Sequence, residues 1–306
     1  MTYPYAAGSN TMSGNYIPEV WTAKTLVKFY MTTVFGDIAN TDYEGEISSK
    51  GDKVIIRTVP DIVIRDYEID QKLQYTKPQG GTVELLIDKG KYYAIPLNDV
   101  EKKQADIPYM EKWTDDASKQ LGIVIDRELL ADVYADADGD NKGLTAGAIS
   151  GSYNMGVTGT PLEVTKTNIL EVIVDMGSIL SEQNIPEDGR WLVLPTVFCG
   201  LIKKSDLKDV SLTGDAKSPL RNGMIGSIDN FKIYRSNNMT FTTDGSNSVA
   251  NVIAGHKSAI TFATQLTKNE TLKNPDDFGD LMRGLQVYGY EVIKGEALVH
   301  GYFYKG

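Results

Sequence analysis

The sequence predicts an α+β fold in which a central α/β unit carries outlying elements that cannot complete their own burial. Three observations point to it: a long, heavily charged hairpin, one helix well above the usual length, and a strand and helix alternation confined to the middle of the chain. The 306 residues, 41% hydrophobic and 24% charged, are enough for a sizeable core in one or two domains and exclude wholesale disorder.

In chain order, Met1 to Asn15 is rich in Gly, Ser, Asn and Thr without apolar periodicity, the pattern of a tail. From Ile17 to Phe35, Val20, Ala23, Val27 and Met31 recur at helical spacing after Pro18, which predicts an amphipathic arm helix in need of a partner surface. Lys53–Val59 and Ile62–Asp66 read as strands because β-branched residues dominate, with a break at Pro60-Asp61. Tyr67–Tyr75 and Thr82–Tyr93 then alternate as two limbs joined by the turn Lys77-Pro78-Gln79-Gly80-Gly81. A two-stranded ribbon alone in water is marginal, so this hairpin is expected to lie on another molecule.

Asp106 and Pro108 mark a helix start, and Met110, Trp113, Ala117, Leu121, Ile125, Leu129 and Val133 form one stripe reaching Tyr134. Asp136–Thr160 abandons periodicity for Gly, Asn, Asp and Ser, which predicts a loop or domain junction ending near Pro161. Thr167-Asn168 caps a helix through Leu180, Trp191–Leu194 is a buried-type strand ended by Pro195, and Val197–Lys204 restarts a helix. Ser205–Asn222 is polar and hinge-like, and Phe231–Tyr234, Val252–Ala254 and Ala259–Ala263 are further strands. Leu285–Lys305 reads as one extended strand interrupted by Gly289, Gly295 and Gly301, as where a sheet bends or another backbone approaches.

Composition removes several function classes. Thirty-one basic against 41 acidic side chains give a net charge of −10, the wrong sign for a protein that coats nucleic acid. Cys199 is the single cysteine, so neither an internal disulfide nor a zinc ribbon can form. No apolar run approaches the ~20 residues of a membrane span, and the opening residues lack a secretory pattern, so a cytosolic product without a membrane partner is expected.

No catalytic constellation emerges. Asp136-Ala-Asp138-Gly-Asp140 suggests a calcium loop, but Asn141 stands where the turn glycine belongs and Gly147 where the bidentate glutamate belongs. Ala216 replaces the glycine before Lys217-Ser218 that a phosphate loop requires, and Gly223-Met-Ile-Gly226 falls short of a dinucleotide fingerprint. With two histidines, His256 and His300, no nucleophile elbow, and Cys199 in an apolar helix start, the chain is read as no enzyme, with no metal and no cofactor. Seventeen tyrosines against eight phenylalanines suit surfaces wet in one state and covered in another.

Arm, hairpin, strut helix, α/β unit and returning strand, taken in order, resemble the major capsid protein of tailed bacteriophages, the Hong Kong ninety-seven-type fold. Arg221-Asn-Gly-Met-Ile-Gly226-Ser-Ile228-Asp-Asn230-Phe231-Lys-Ile233 is similar to that family's turn-and-strand pattern, with Asn230 where glycine is usual; asparagine is the residue after glycine that best accepts a left-handed backbone. Gly255-His256-Lys257, Phe262-Ala263, Phe278-Gly279-Asp280, Arg283-Gly284-Leu285 and Tyr288-Gly289-Tyr290 resemble its carboxy-terminal half.

The resemblance implies an arm over Tyr16–Asn40, an extended loop over Tyr67–Tyr93, a spine helix over Pro108–Tyr134 and an axial domain over Pro161–Phe278, with the last strand returning to the periphery. As domains these are 1–60, 61–98, 99–160, 161–280 and 281–306. It further implies a non-enzymatic coat subunit that forms hexamers and pentamers, then an icosahedral shell around double-stranded DNA, assembled in the host cytoplasm with a separate scaffolding protein and a portal. Tyr67, Ile69, Leu73, Tyr75, Pro78, Gly80, Gly81 and Leu85 are the expected assembly contacts. Two other readings stand beside it: an encapsulin-like compartment shell, and a soluble α/β hydrolase or ligand-binding protein with Gly139–Gly159 as a lid.

Overall fold

The computed structural model describes residues 33–42, 53–57, 60, 62–99, 109–205, 227–275 and 277–306. The expected tail, most of the arm helix, the helix start at Asp106 and Pro108, and the hinge after Ser205 lie outside the described residues, as does Arg221–Gly226.

Three sheets organise the chain. Strands β1 (Lys53–Arg57) and β2 (Thr82–Leu86) form an antiparallel pair. Strands β3 (Lys89–Asn98), β10 (Ile260–Lys273) and β11 (Gly279–Val292) form a second sheet in the order β10-β11-β3. The seven-stranded sheet contains β4 (Leu162–Val164), β5 (Arg190–Leu194), β6 (Ser227–Ile228), β7 (Phe231–Arg235), β8 (Phe241–Asp244), β9 (Asn247–His256) and β12 (Leu298–Lys305). Its order is β4-β12-β9-β5-β7-β6, with β8 also on β9.

The large sheet holds the core. Every residue of β5 is buried, as the unbroken apolar run Trp191–Leu194 requires of a central strand. Helix Ile169–Glu182 buries Ile169, Val172, Ile173, Met176, Ile179 and Leu180 at helical spacing, and helix Thr196–Ile202 adds Phe198, Leu201 and Ile202. Asn168 marks the helix start, but its side chain turns back: Oδ1 accepts from the Thr165 N–H at 2.7 Å and Nδ2 donates to the Glu163 carbonyl. The β6–β7 turn, Asp229-Asn230, has φ of 48° and 62°, so the asparagine occupies the left-handed backbone expected of it.

The long helix spans Tyr109–Asp132, about 36 Å at 1.5 Å per residue, and ends in a 3-10 turn, Val133–Asp136. Its stripe is graded: Ile125, Leu129 and Val133 are fully covered, whereas Trp113 is at the surface. Sheet β10-β11-β3 fastens it through polar contacts. Tyr288 Oη donates to Glu128 at 2.8 Å, Tyr290 Oη donates to Asp132, and Lys91 pairs with Glu128 at 2.9 Å. Burial and the Glu128 and Asp132 carboxylates raise both phenol pKa values, so these tyrosines stay protonated donors. On another side of the helix, fully buried Asp126 accepts from the Val34 and Phe35 N–H groups, both at 2.9 Å, and from Asn238 Nδ2 at 2.7 Å. One carboxylate thereby ties the short helix Phe35–Ile38, the long helix and the large sheet together, and burial raises its pKa.

Four expectations need correction. The predicted hairpin limb Thr82–Tyr93 is two strands split at Ile87-Asp88, and its second half joins β11 instead of the ribbon. Ile62–Asp66 and Tyr67–Tyr75 form no strand; the pair closing the projection is β1 with β2. Leu285–Lys305 is likewise two strands separated by the 3-10 turn Gly295–Ala297. The strand beside β3 is β11, while the terminal β12 lies in the large sheet, so residues 281–306 do not return to the periphery as one unit and the boundary at 280 falls inside β11. Gly289 carries the close approach predicted for it, since a Cβ there would sit 1.9 Å from the Leu86 carbonyl oxygen.

The Gly-rich stretch Asp136–Thr160 is irregular, as expected of a loop, and is bonded to the large sheet. Met155 accepts from the Tyr302 N–H at 2.7 Å, and buried Asn141 donates to the Glu296 and Leu298 carbonyls at 2.7 and 2.9 Å. A segment sharing backbone bonds with β12 cannot open as a lid.

His300 on β12 supplies a pH-dependent part of stability. Its Nε2 donates to Asn251 Oδ1 at 3.0 Å, its ring lies tilted against Tyr134, and burial, with Lys142 nearby, lowers its pKa to about 4. A depressed value means the contribution is complete above the unfolded pKa of about 6.5 and is lost as pH falls toward 4, by about 3 kcal/mol. Urea midpoints of the unassembled subunit should therefore fall over that window, and His300→Asn should flatten this slope.

Candidate assembly surface

The loop between β1 and β2 carries seven of the large hydrophobic side chains that are exposed among the described residues. Arg57 pairs with Thr82 at its base, so a two-stranded stem carries it. Its tip is a turn at Glu68–Gln71, closed by the Gln71 N–H to the Glu68 carbonyl at 3.1 Å, with Asp70 at φ 65°. Below the tip Arg65 bridges the two limbs, donating to Gln74 Oε1 and, at 3.1 Å, to Thr76 Oγ1. The turn thus begins nine residues before the expected one at Lys77–Gly81, which instead leads into β2.

Apolar side chains stand in solvent along both limbs: Ile64 is 93% exposed, Ile69 86% and Tyr75 92%, with Ile62, Val63, Tyr67 and Leu73 also exposed. A monomeric protein does not ordinarily leave so many together in water, and such a patch marks an interaction site. Of the residues singled out from the sequence, Tyr67, Ile69, Leu73, Tyr75, Pro78, Gly80 and Gly81 share this projecting segment and are all exposed. Leu85 is not among them. It is fully buried with Ile56, Ile87 and Ala263, because the apolar side of β2 faces its own chain. Ile62, Val63 and Ile64 were missed as contacts because three consecutive β-branched residues read as a strand interior.

The groups with catalytic potential are engaged elsewhere. Cys199 is buried, and desolvation pushes its thiol up to about 11, the reverse of an activated nucleophile. His256 closes a turn, with Nδ1 at 2.8 Å from Ser258 Oγ and Nε2 at 2.9 Å from the Asp188 carbonyl. In the Asp136–Asp140 run, Asp138 accepts from the Asp140 N–H, a local turn bond. Among the described residues no helix is long and apolar enough to cross a membrane.

The model of a family described as phage capsid protein matches residues 82–300. The chain belongs to that family. It is a major capsid protein of tailed bacteriophages, with the Hong Kong ninety-seven-type fold, and a structural component of the icosahedral virion shell. No curated protein sequence matches this capsid protein. Among solved structures, one from Mycobacterium phage Che8 is 27% identical with a TM-score of 0.76, covering 94% of this chain and 97% of that one. Two capsid structures share the fold at lower identity. That of cyanophage Pam1 has 10% identity and TM-score 0.73 over 97% of this chain and 99% of that one. That of cyanophage P-SCSP1u has 14% and 0.69 over 95% and 93%. The compartment-shell and hydrolase readings are not favoured by these findings.

Proposed function

We propose that this capsid protein forms hexamers and pentamers that close into a shell around the double-stranded DNA of its phage. Assembly takes place in the host cytoplasm with a separate scaffolding protein and a portal. The observation that carries the reading is the loop Ile62–Gly81, whose apolar side chains find no cover among the described residues. Laid over a neighbouring copy, it loses contact with water, and the same contact repeats from copy to copy. Single contacts of a few kcal/mol add when each subunit is held by several neighbours, which permits both correction of errors and a durable shell. The net charge of −10 supports an inner wall that does not trap the packaged genome. A structural role without catalysis accords with a buried thiol and histidines committed to turns and core bonds.

Electron microscopy of the purified protein tests this directly. Closed shells of uniform diameter are expected; a protein that stays monomeric at every concentration and with scaffolding protein supplied would contradict it.

A further inference from the structure

The hairpin β10–β11 carries an exposed aromatic side chain near its tip. Phe278 is 85% exposed, while its backbone carbonyl and N–H are both hydrogen-bonded. Its carbonyl accepts from the Asp99 N–H at 3.0 Å, and its N–H donates to Asp277 Oδ1 at 2.8 Å. Asp277 Oδ2 in turn accepts from Asn98 Nδ2 at 2.8 Å. A Cβ on Gly279 would lie 2.2 Å from the Leu97 carbonyl oxygen, so the tip rests directly on β3. An isolated exposed phenylalanine is ordinary, but one whose loop is already ordered loses little entropy on docking, and aromatic side chains are the usual anchors of interfaces.

The same sheet offers a complementary surface. Met282, Tyr288 and Tyr290 of β11 bond to the long helix, so by the alternation of a strand Leu281, Arg283 and Leu285 point to the opposite face. There Tyr92, Ala94, Leu281 and Leu285 line an open, chiefly apolar groove of about 560 Å³, edged by Arg283 and Lys268. Both cations bind the one carboxylate of Glu270, which leaves the rim net positive. The tip is net negative, with Asp99, Asp277 and Asp280 against Lys273. Groove and knob are three to seven residues apart along β11, roughly 10 to 23 Å, and the pinned tip cannot fold back to fill it.

We propose that Phe278 of one copy enters the Tyr92–Leu285 groove of a neighbouring copy, with its acidic tip against Arg283 and Lys268. Knob and groove are different surfaces, so the contact is heterologous and closes a ring of subunits. It rests on the chain's being a shell subunit, but it is separate from the loop Ile62–Gly81.

The test is oxidative cross-linking in shells of the full chain carrying Phe278→Cys and Leu285→Cys together; Cys199 is buried and does not interfere. In the shells that do form, the double variant should give a ladder of linked chains on a non-reducing gel, and each single variant should give none. Assembled double-variant shells without links would overturn the contact, as would dimers from Phe278→Cys alone, which would mean that tips meet tips. Should the double variant not assemble, Phe278→Ala decides. It should reduce shell yield at least tenfold with the melting midpoint of the free subunit unchanged, and full yield would overturn the proposal. Absence of particles from the unsubstituted chain would count against the shell reading instead.

Discussion

Serine at Ile64, Ile69, Leu73 and Tyr75 together is expected to abolish shell formation while leaving the subunit folded. All four side chains are exposed and on the projecting loop, so their removal takes nothing from the core; the free subunit should melt within about 0.5 kcal/mol of the unsubstituted protein. Assembly is another matter. Covering a large apolar side chain is worth about 1.5 to 3 kcal/mol, so four of them carry roughly 6 kcal/mol or more of each loop contact. That corresponds to about four orders of magnitude in the association constant before repetition over several neighbours is counted. Sedimentation should show slow-moving subunits or capsomers only. Shells at normal yield would show that the loop does not join copies.

Gly156→Val should be the most destabilising single substitution in the large sheet. Gly156 sits at φ 73°, where β-branched residues are strained, and a Cβ would lie 2.4 Å from the Tyr302 carbonyl oxygen and 2.8 Å from the Leu162 N. Both obstacles are backbone atoms of β12 and β4, and neither can rotate away. The loop would have to leave the sheet, breaking the Met155–Tyr302 bond and uncovering Met155. A loss of about 4 kcal/mol or more is expected, seen as an insoluble product or a strongly lowered urea midpoint. Near-native stability would mean that this loop is not part of the core.

How much of this was legible in the sequence differs by element, for physical reasons. The long helix, the buried strand at Trp191–Leu194 and the Asp229-Asn230 turn carry local signals: helical spacing, an unbroken apolar run, and a residue that accepts positive φ. Strand partners carry none. Val83, Leu85 and Ile87 alternate, but alternation does not say whether that side meets Ile56 and Ala263 of the same chain or a neighbour, and Leu85 was assigned to the wrong one. The alternation also continues across Ile87-Asp88, so the change of sheet there leaves no trace in the pattern. Glycine and asparagine over Asp136–Thr160 predict a loop or domain junction, but nothing in that pattern shows that Asn141 finds its partners 155 and 157 residues away, at Glu296 and Leu298. Of the projecting loop, Tyr67, Ile69, Leu73 and Tyr75 were legible as apolar residues lacking cover, though not as a loop without strands. The setting of Phe278 carries no local signal, because the bonds to its loop come from Asn98 and Asp99 at the end of a distant strand.

The central claim is that the loop Ile62–Gly81 is completed by a neighbouring copy. A cryo-electron microscopy map of the assembled shell, traced at side-chain detail, measures it most directly. The account predicts Ile64, Ile69 and Tyr75 of every subunit covered by the adjacent subunit. A map with these side chains in solvent, or folded onto their own chain, would contradict it.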